Sequence, residues 1–527
     1  MSDSRVRRAG LATASIIGLC LISACSEEDS SESGWSTSKL TSDSESYNAK
    51  AQFSGSNHFA VWQSVESREV QAGSEDLPGK TDHYTQSGHL DGHIHMLVKV
   101  KPIINMSVGS SGNWGIAKTW SDGDEKNERR ISRSTTTNAV VATDEIFGIG
   151  FEPETSIATD SAGRAVAIWT ELNAGVVNLY SCTYSGGWCA TKSAVDTATN
   201  SVRNPQIALN SNGDGAAAWE QKENGAWTIY AASYNVGTGF GTPARISGDD
   251  GGATLYDAGS PQIAVSGTGV VLAVWKELKA DFSKYAIQAR RQVSGVWEAI
   301  APVSDGLANV DNPSLSMNSS GNAVASWEQS DSPINSPTAP MSIWANVYDG
   351  SGDSWGTAQD IQSDLVATPV KNEAIQNAFD VDVAMNSASD VIAVWVQEEI
   401  SAPLDLNNSN NTSTTHIWAN QYSASGSSWG TAYRLENGSR LDAIDPQVLY
   451  ITSTKAFVAW RQWNEPRSGS NYAVYGREYT GGWSSKTLLG QSSSLESHRI
   501  AIAANGSNVL VVFTGADGGA SSQLYIP

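Results

Sequence analysis

The sequence predicts an all-β fold, an eight-bladed β-propeller built from four-stranded antiparallel blades. Three observations predict it. A first unit recurs in "PQIALNSNGDGAAAWEQ" (Pro205 to Gln221), "PQIAVSGTGVVLAVWKE" (Pro261 to Glu277), "PSLSMNSSGNAVASWEQ" (Pro313 to Gln329) and "VDVAMNSASDVIAVWVQ" (Val381 to Gln397). Each is an alternating strand, a Gly/Asn/Ser turn and a second strand ending in Trp, the pattern of a β-hairpin. A second unit follows, as in "IWANVYDGSGDSWGTAQDI" (Ile343 to Ile361), "IWANQYSASGSSWGTAYRL" (Ile417 to Leu435) and "IYAASYNVGTGFGTPARI" (Ile229 to Ile246): a strand, a Gly-rich turn and a strand opening on an aromatic. The third observation is composition, with 48 Gly, 19 Trp, only 17% charged residues and no long helical periodicity, which suits a turn-rich β protein.

Taken in order, the strands of each unit are A to D, and aromatic markers number the blades. Strand B carries Trp62, Trp169, Trp219, Trp275, Trp327, Trp395, Trp460 and Phe513. Strand D opens with Trp114, Trp188, Phe240, Trp297, Trp355, Trp429 and Trp483. The eighth D marker is missing after Phe513, where "QLYIP" (Gln523 to Pro527) reads as a strand C. Trp35 supplies it: "GWSTSKLTS" (Gly34 to Ser42) matches "GWSSKTLLG" (Gly482 to Gly490) and stands alone before the first hairpin. The N-terminal strand is thus expected to complete the last blade, closing a monomeric ring over residues 34–527 and removing exposed sheet edges. The alternative is nine blades, because Trp62 and Trp169 lie about two repeat lengths apart; "WGIAKTWSD" (Trp114 to Asp122) matches a D strand better than a B strand, which favours eight. The markers themselves are expected to pack between blades.

Residues 1–24 read as a targeting segment. Arg5, Arg7 and Arg8 precede an apolar run from Leu11 to Ile22, too short to span a hydrocarbon core of about 30 Å. Ile22-Ser23-Ala24-Cys25 resembles the lipobox of bacterial lipoproteins, a resemblance that implies lipidation of Cys25 and a lipid-anchored envelope protein. Ser26, where an aspartate would favour inner-membrane retention, implies the outer membrane. The alternative is an ordinary secretory signal. Residues 25–33 form an acidic tether, and membrane contact is expected through the lipid alone. A net charge of -22 argues against nucleic acid as a partner. Cys182 and Cys189, flanking "TYSGGW", are expected to form a disulfide across a CD hairpin.

Function is expected on one face. The long connections, Ser64 to Gly92, Ser330 to Met341, Glu398 to Thr415 and Gln462 to Asn471 between B and C, and Gly123 to Gly150 and Asp364 to Phe379 between D and A, all fall on the same side of the ring. "DHYTQSGHLDGHIH" (Asp82 to His95) gathers His83, His89, Asp91, His93 and His95, a set that suits a divalent metal, with a solvated polar loop as the alternative. His93 and His95 would project from one side of a strand. No cofactor is otherwise expected. A second candidate is the polar residue two places after each B-strand Trp, namely Glu171, Gln221, Glu277, Gln329, Gln397 and Gln462, either as a ligand ring or as structural acceptors between blades.

Trp at the start of strand D resembles the Asp box of sialidases, but "YDGSGDSW" (Tyr348 to Trp355) does not place its Asp in that pattern. The architecture is also similar to the scaffold propeller of the β-barrel assembly machinery and to the quinoprotein dehydrogenases. Their repeats place Gly four residues before Trp, whereas Gly163 precedes Trp169, and Gly321 precedes Trp327, by six. Two function classes follow. One is a non-catalytic scaffold binding protein or glycan through the long-loop face. The other is a polysaccharide-acting enzyme, glycosidase or lyase, drawing carboxylates from those loops.

Overall fold

The structure is a computed structural model. It describes residues 35–39; in the region of the first sheet 46–54, 57–75, 81–82, 93–110, 113–114, 118–121 and 127–134; and most of 154–525, apart from connections at 174, 197–199, 249–255, 280–283, 331–339, 363–376, 401–412, 437–441, 464–471, 493–499, 507 and 515–519. Every regular element among the described residues is a β-strand.

The strands form antiparallel sheets built on four strands, eight of them among the described residues. In chain order their first strands are Ser46–Ser54, Thr155–Thr159, Val202–Leu209, Ala258–Val265, Val310–Met317, Ala378–Met385, Ala443–Tyr450 and Ala501–Ala504. The third sheet shows the plan: Val202–Leu209 pairs with Gly215–Glu223, that strand with Ala226–Asn235, and the last with the short Gly239–Phe240 and Ala244–Arg245. First strands of consecutive sheets touch each other all along the chain, and Ser46–Ser54 touches Ala501–Ala504. In the eighth sheet Trp35–Lys39 pairs antiparallel with Ala520–Tyr525, Trp35 opposite Tyr525.

Alternation explains why these segments are strands, and the apolar side of each lies between sheets. Trp169, Trp219, Trp275, Trp327, Trp395 and Trp460 are wholly buried. Each packs on the sheet before its own: Trp219 against Val166 and Ile168, Trp327 against Leu272 and Val274, Trp460 against Ile392 and Val394. Truncating one such Trp to Ala costs about 3–5 kcal/mol by the behaviour of large core residues. The outer markers Trp188, Phe240, Trp297, Trp355, Trp429 and Trp483 are only half-buried, as suits a peripheral strand, while Phe513 is buried.

The A-to-B turn also repeats. The side-chain oxygen of Asp160, Asn210, Asn318 or Asn386 accepts two backbone N–H groups, as Asn210 does from Asn212 and Asp214. Gly163, Gly213, Gly269 and Gly321 follow with φ between +85° and +92°, a region glycine enters without strain. That requirement, rather than a shared motif, places glycine six residues before Trp169, Trp219, Trp275 and Trp327, and Ser389 takes the same left-handed place before Trp395.

The first sheet departs from the plan. Asn57–Glu75 and His93–Ser110 run on together past the blade, and Asn127–Ser134 pairs with the outer half of the latter. Ser64 to Gly92 and Gly123 to Gly150, expected as loops, are therefore partly strand. At the second sheet, Cys182 and Cys189 lie with Cα atoms 5.5 Å apart, the spacing a disulfide spans.

Candidate functional site

Antiparallel topology puts the start of every first strand and the end of every second strand on one face, the face of the long connections. There six of the first strands carry a bulge, where the ladder shifts register between Tyr47 and Lys50, Arg203 and Gln206, Gly259 and Gln262, Asp311 and Ser314, Phe379 and Asp382, and Ile444 and Gln447. Asn204, Ser260, Asn312, Asp380 and Asp445 sit in these bulges with φ of 45° to 56°, a left-handed conformation that short polar side chains tolerate best. Their side chains and backbone N–H groups form a polar rim.

In the third and fifth sheets the residue directly after the second-strand Trp points at this rim. Glu220 accepts from Arg203 Nε, from Asn204 Nδ2 at 2.6 Å and from the Ser260 N–H of the next sheet at 2.8 Å. Glu328, two sheets on, accepts from Asn312 Nδ2 at 3.0 Å and from the Asp380 N–H of the next sheet at 2.8 Å. Where the third sheet has Arg203, the fifth has Asp311, which pairs instead with Lys276 of the sheet before it. Arg461 binds Asp445.

Electrostatics follow from this exchange. Burial raises the Glu328 carboxyl above its ordinary range, the charges of Asp311 and Asp380 push the same way, and the two hydrogen bonds it accepts offset only part of that. Asp382, two residues along the first strand, is pushed by burial to about 6, against hydrogen bonds from the Val448 N–H and the Ser314 hydroxyl. Two carboxyls whose protonated form is favoured by burial, lying beside other carboxylates, are candidates for acid–base chemistry.

The structure settles the second sequence candidate. Trp169, Trp219, Trp275, Trp327, Trp395 and Trp460 each donate their indole N–H to the side-chain oxygen two residues on, in Glu171, Gln221, Glu277, Gln329, Gln397 and Gln462, at 2.6 to 3.3 Å. These residues are buried and structural: they satisfy the indoles, and Glu277 also accepts the backbone N–H of Gly248 at 3.1 Å, a contact between sheets. His93 and His95 lie on the strand His93–Ser110, two residues apart. Their side chains, together with His83, His89, Asp91 and Cys25, lie outside the described residues. The rim carboxylates Glu328, Asp311, Asp380 and Asp382 were not singled out by sequence; reading the position one place after each Trp, where Thr170, Glu220, Lys276, Glu328, Val396 and Arg461 stand, exposes the change of charge.

No protein-family profile and no curated protein matches this chain. Among solved structures, an ulvan lyase of polysaccharide lyase family PL25 is similar with 9% identity, a TM-score of 0.45, and coverage of 69% of this chain and 90% of the other. A Fusarium graminearum α-L-arabinofuranosidase gives 11% identity, a TM-score of 0.38, and coverage of 70% and 91%. A Dyadobacter fermentans protein of unknown function gives 13%, 0.37, and 61% and 92%. These identities are too low to transfer a residue role.

Proposed function

We propose that the protein is a polysaccharide-acting enzyme whose reacting groups are the rim carboxylates of the fifth and sixth sheets. Glu328 is the proton donor, and Asp380 the carboxylate that works beside it as the base. The observation that carries this reading is the loss of the arginine that braces Glu220: at the same place Glu328 meets Asp311 and holds its proton to higher pH. Cleavage of a glycosidic bond, by hydrolysis or by elimination, needs one carboxyl that can give a proton and one base. The rim supplies both groups.

The scaffold of this reading is an eight-bladed ring closed by Trp35–Lys39, supported by the pairing with Ala520–Tyr525 and by the cyclic order of the first strands. Cys25 anchors it to the bacterial outer membrane, Cys182 and Cys189 form a disulfide, and the His83–His95 segment holds any divalent metal. Incubating the full-length protein with a panel of neutral and uronate polysaccharides, and following both reducing ends and unsaturated products, tests the activity. Glu328→Gln should abolish turnover of whichever polymer is cut. Tight binding with no product from any polymer would instead favour the second reading, a non-catalytic scaffold acting through the long-loop face. That reading is supported by the strand extension Asn57–Glu75, His93–Ser110 and Asn127–Ser134 rising on the same side.

A further inference from the structure

On the opposite face, where the short turns lie, the sixth and seventh sheets are separated by an open cleft of about 630 Å³. That volume is within the range of small-molecule sites, about 300–1,000 Å³. The sixth sheet contributes its turn at Asp390 and its third and fourth strands at Gln421, Tyr422 and Trp429; the seventh contributes Tyr450 and Tyr479.

We propose that this cleft is a binding subsite for a neutral saccharide, separate from the rim. Four half-buried aromatic rings line it, with the Tyr422 and Trp429 rings 5.5 Å apart and tilted by 57°. Such rings offer flat apolar faces to the C–H side of a sugar and leave polar edges for its hydroxyls. The rest of the lining is rich in amide and hydroxyl groups, from Asn386 and Gln421 to Ser453 and Thr454. Gln421 takes the Tyr479 hydroxyl on its carbonyl oxygen at 2.9 Å, which leaves its amide N–H groups to donate. Asp390 is the only charged residue of the lining, and no Lys or Arg stands there to receive a carboxylate or sulfate. An anionic sugar is thereby disfavoured. A quaternary ammonium, the other ligand of aromatic cages, would leave the amides and hydroxyls unused.

Tyr450 is the departure from the repeat that makes the site. It ends its first strand where the third to sixth sheets have Leu209, Val265, Met317 and Met385, all aliphatic. Its hydroxyl makes no hydrogen bond to a described residue, and burial with Asp390 nearby keeps it protonated above the ordinary phenol range. A phenol set among aliphatic positions, with a hydroxyl left to donate, fits recognition better than packing.

The subsite rests on the glycan reading but is separable from the rim chemistry. Full-length protein is titrated with neutral arabino-, xylo- and gluco-oligosaccharides, with uronate oligosaccharides and with choline, while intrinsic fluorescence is followed. Neutral oligosaccharide is expected to bind. Tyr450→Leu, which restores the aliphatic of the repeat and so should fold, weakens that binding at least tenfold; Gln421→Val, the residue at Val347 in the fifth sheet, weakens it by a smaller factor. Both variants keep the parent's turnover of short soluble substrates, whereas Glu328→Gln loses turnover and keeps the binding. Preference for uronates or choline, absence of neutral-sugar binding, or binding unchanged in both cleft variants would overturn the proposal. Loss of turnover in Tyr450→Leu with a parental melting curve would overturn its separateness from the rim.

Discussion

Glu220 and Glu328 hold the same place in the third and fifth sheets, and each fastens its sheet to the next through a backbone N–H in a bulge, Ser260 in one case and Asp380 in the other. What surrounds them differs. Glu220 is paired with Arg203; Glu328 pairs with no cation among the described residues and stands beside Asp380 and Asp311, the latter held by Lys276. A buried acid that bridges sheets needs only hydrogen bonds to do so, and the third sheet adds a charge partner that the fifth omits. The difference separates a brace from a group free to exchange its proton.

The largest effect should come from breaking the two in parallel. Glu328→Gln keeps shape and acceptor, so melting should stay within about 1 kcal/mol of the parent, while turnover falls at least ~100-fold, the usual scale of a lost general acid. Glu220→Gln should do the opposite, leaving turnover per folded molecule intact. Next in size, Glu220→Ala leaves the Asn204 amide and the Ser260 N–H without their buried acceptor, while the exposed Arg203 rehydrates, and should cost about 2 kcal/mol in urea unfolding. A loss below 1 kcal/mol would show that Glu220 is no brace.

A third test uses pH. Asp382 has a folded value of about 6 against 3.8 for the ordinary carboxyl. A group whose folded value is raised binds its proton preferentially in the folded state, so its stabilisation is full below about pH 4 and is lost as pH rises to 6. Glu328 acts in the same direction. Melting temperatures between pH 4 and 7 should therefore fall with pH at the sixth sheet's expense by an amount on the order of 2 kcal/mol, and Asp382→Asn should flatten that part of the curve. The smallest effect is a refinement: Asp311→Asn removes one of the charges that raise Glu328, so its carboxyl titrates lower, and the alkaline limb of the activity profile should move to lower pH. A limb that stays put would assign the proton to another group.

Much of the fold was legible because it is local. Alternation over eight-residue strands, a turn needing positive φ and a Trp at fixed spacing are all written within one hairpin, and even the orphan strand at Trp35 announced itself by likeness to Gly482 to Gly490. The fourth strands were less so: in the third sheet the ladder breaks after Phe240 and resumes at Ala244–Arg245, and the same break recurs after Trp355 and Trp429 where no proline stands, so no residue type announces it. The extension of the first sheet was hidden because polar "ESREVQAGSE" (Glu66 to Glu75) carries little apolar alternation. The rim was hidden for a different reason. Its backbone contacts repeat from sheet to sheet, as Glu220 with Ser260 and Glu328 with Asp380, but the charges laid on them do not, and pairs such as Lys276 with Asp311 join residues far apart and in different sheets.

The pairing of Trp35–Lys39 with Ala520–Tyr525 also sets an order in time. It joins almost the first described residue to almost the last, so the separation that must be closed is nearly the whole chain, the slowest kind of contact to form. While synthesis proceeds, the leading strand has no partner, and the growing array shows an open edge at each end. Only when residues 520–525 arrive are both covered in one step. The interval before that step is when the protein is most exposed to aggregation, and holding the leading strand through it is the service that a chaperone would have to render.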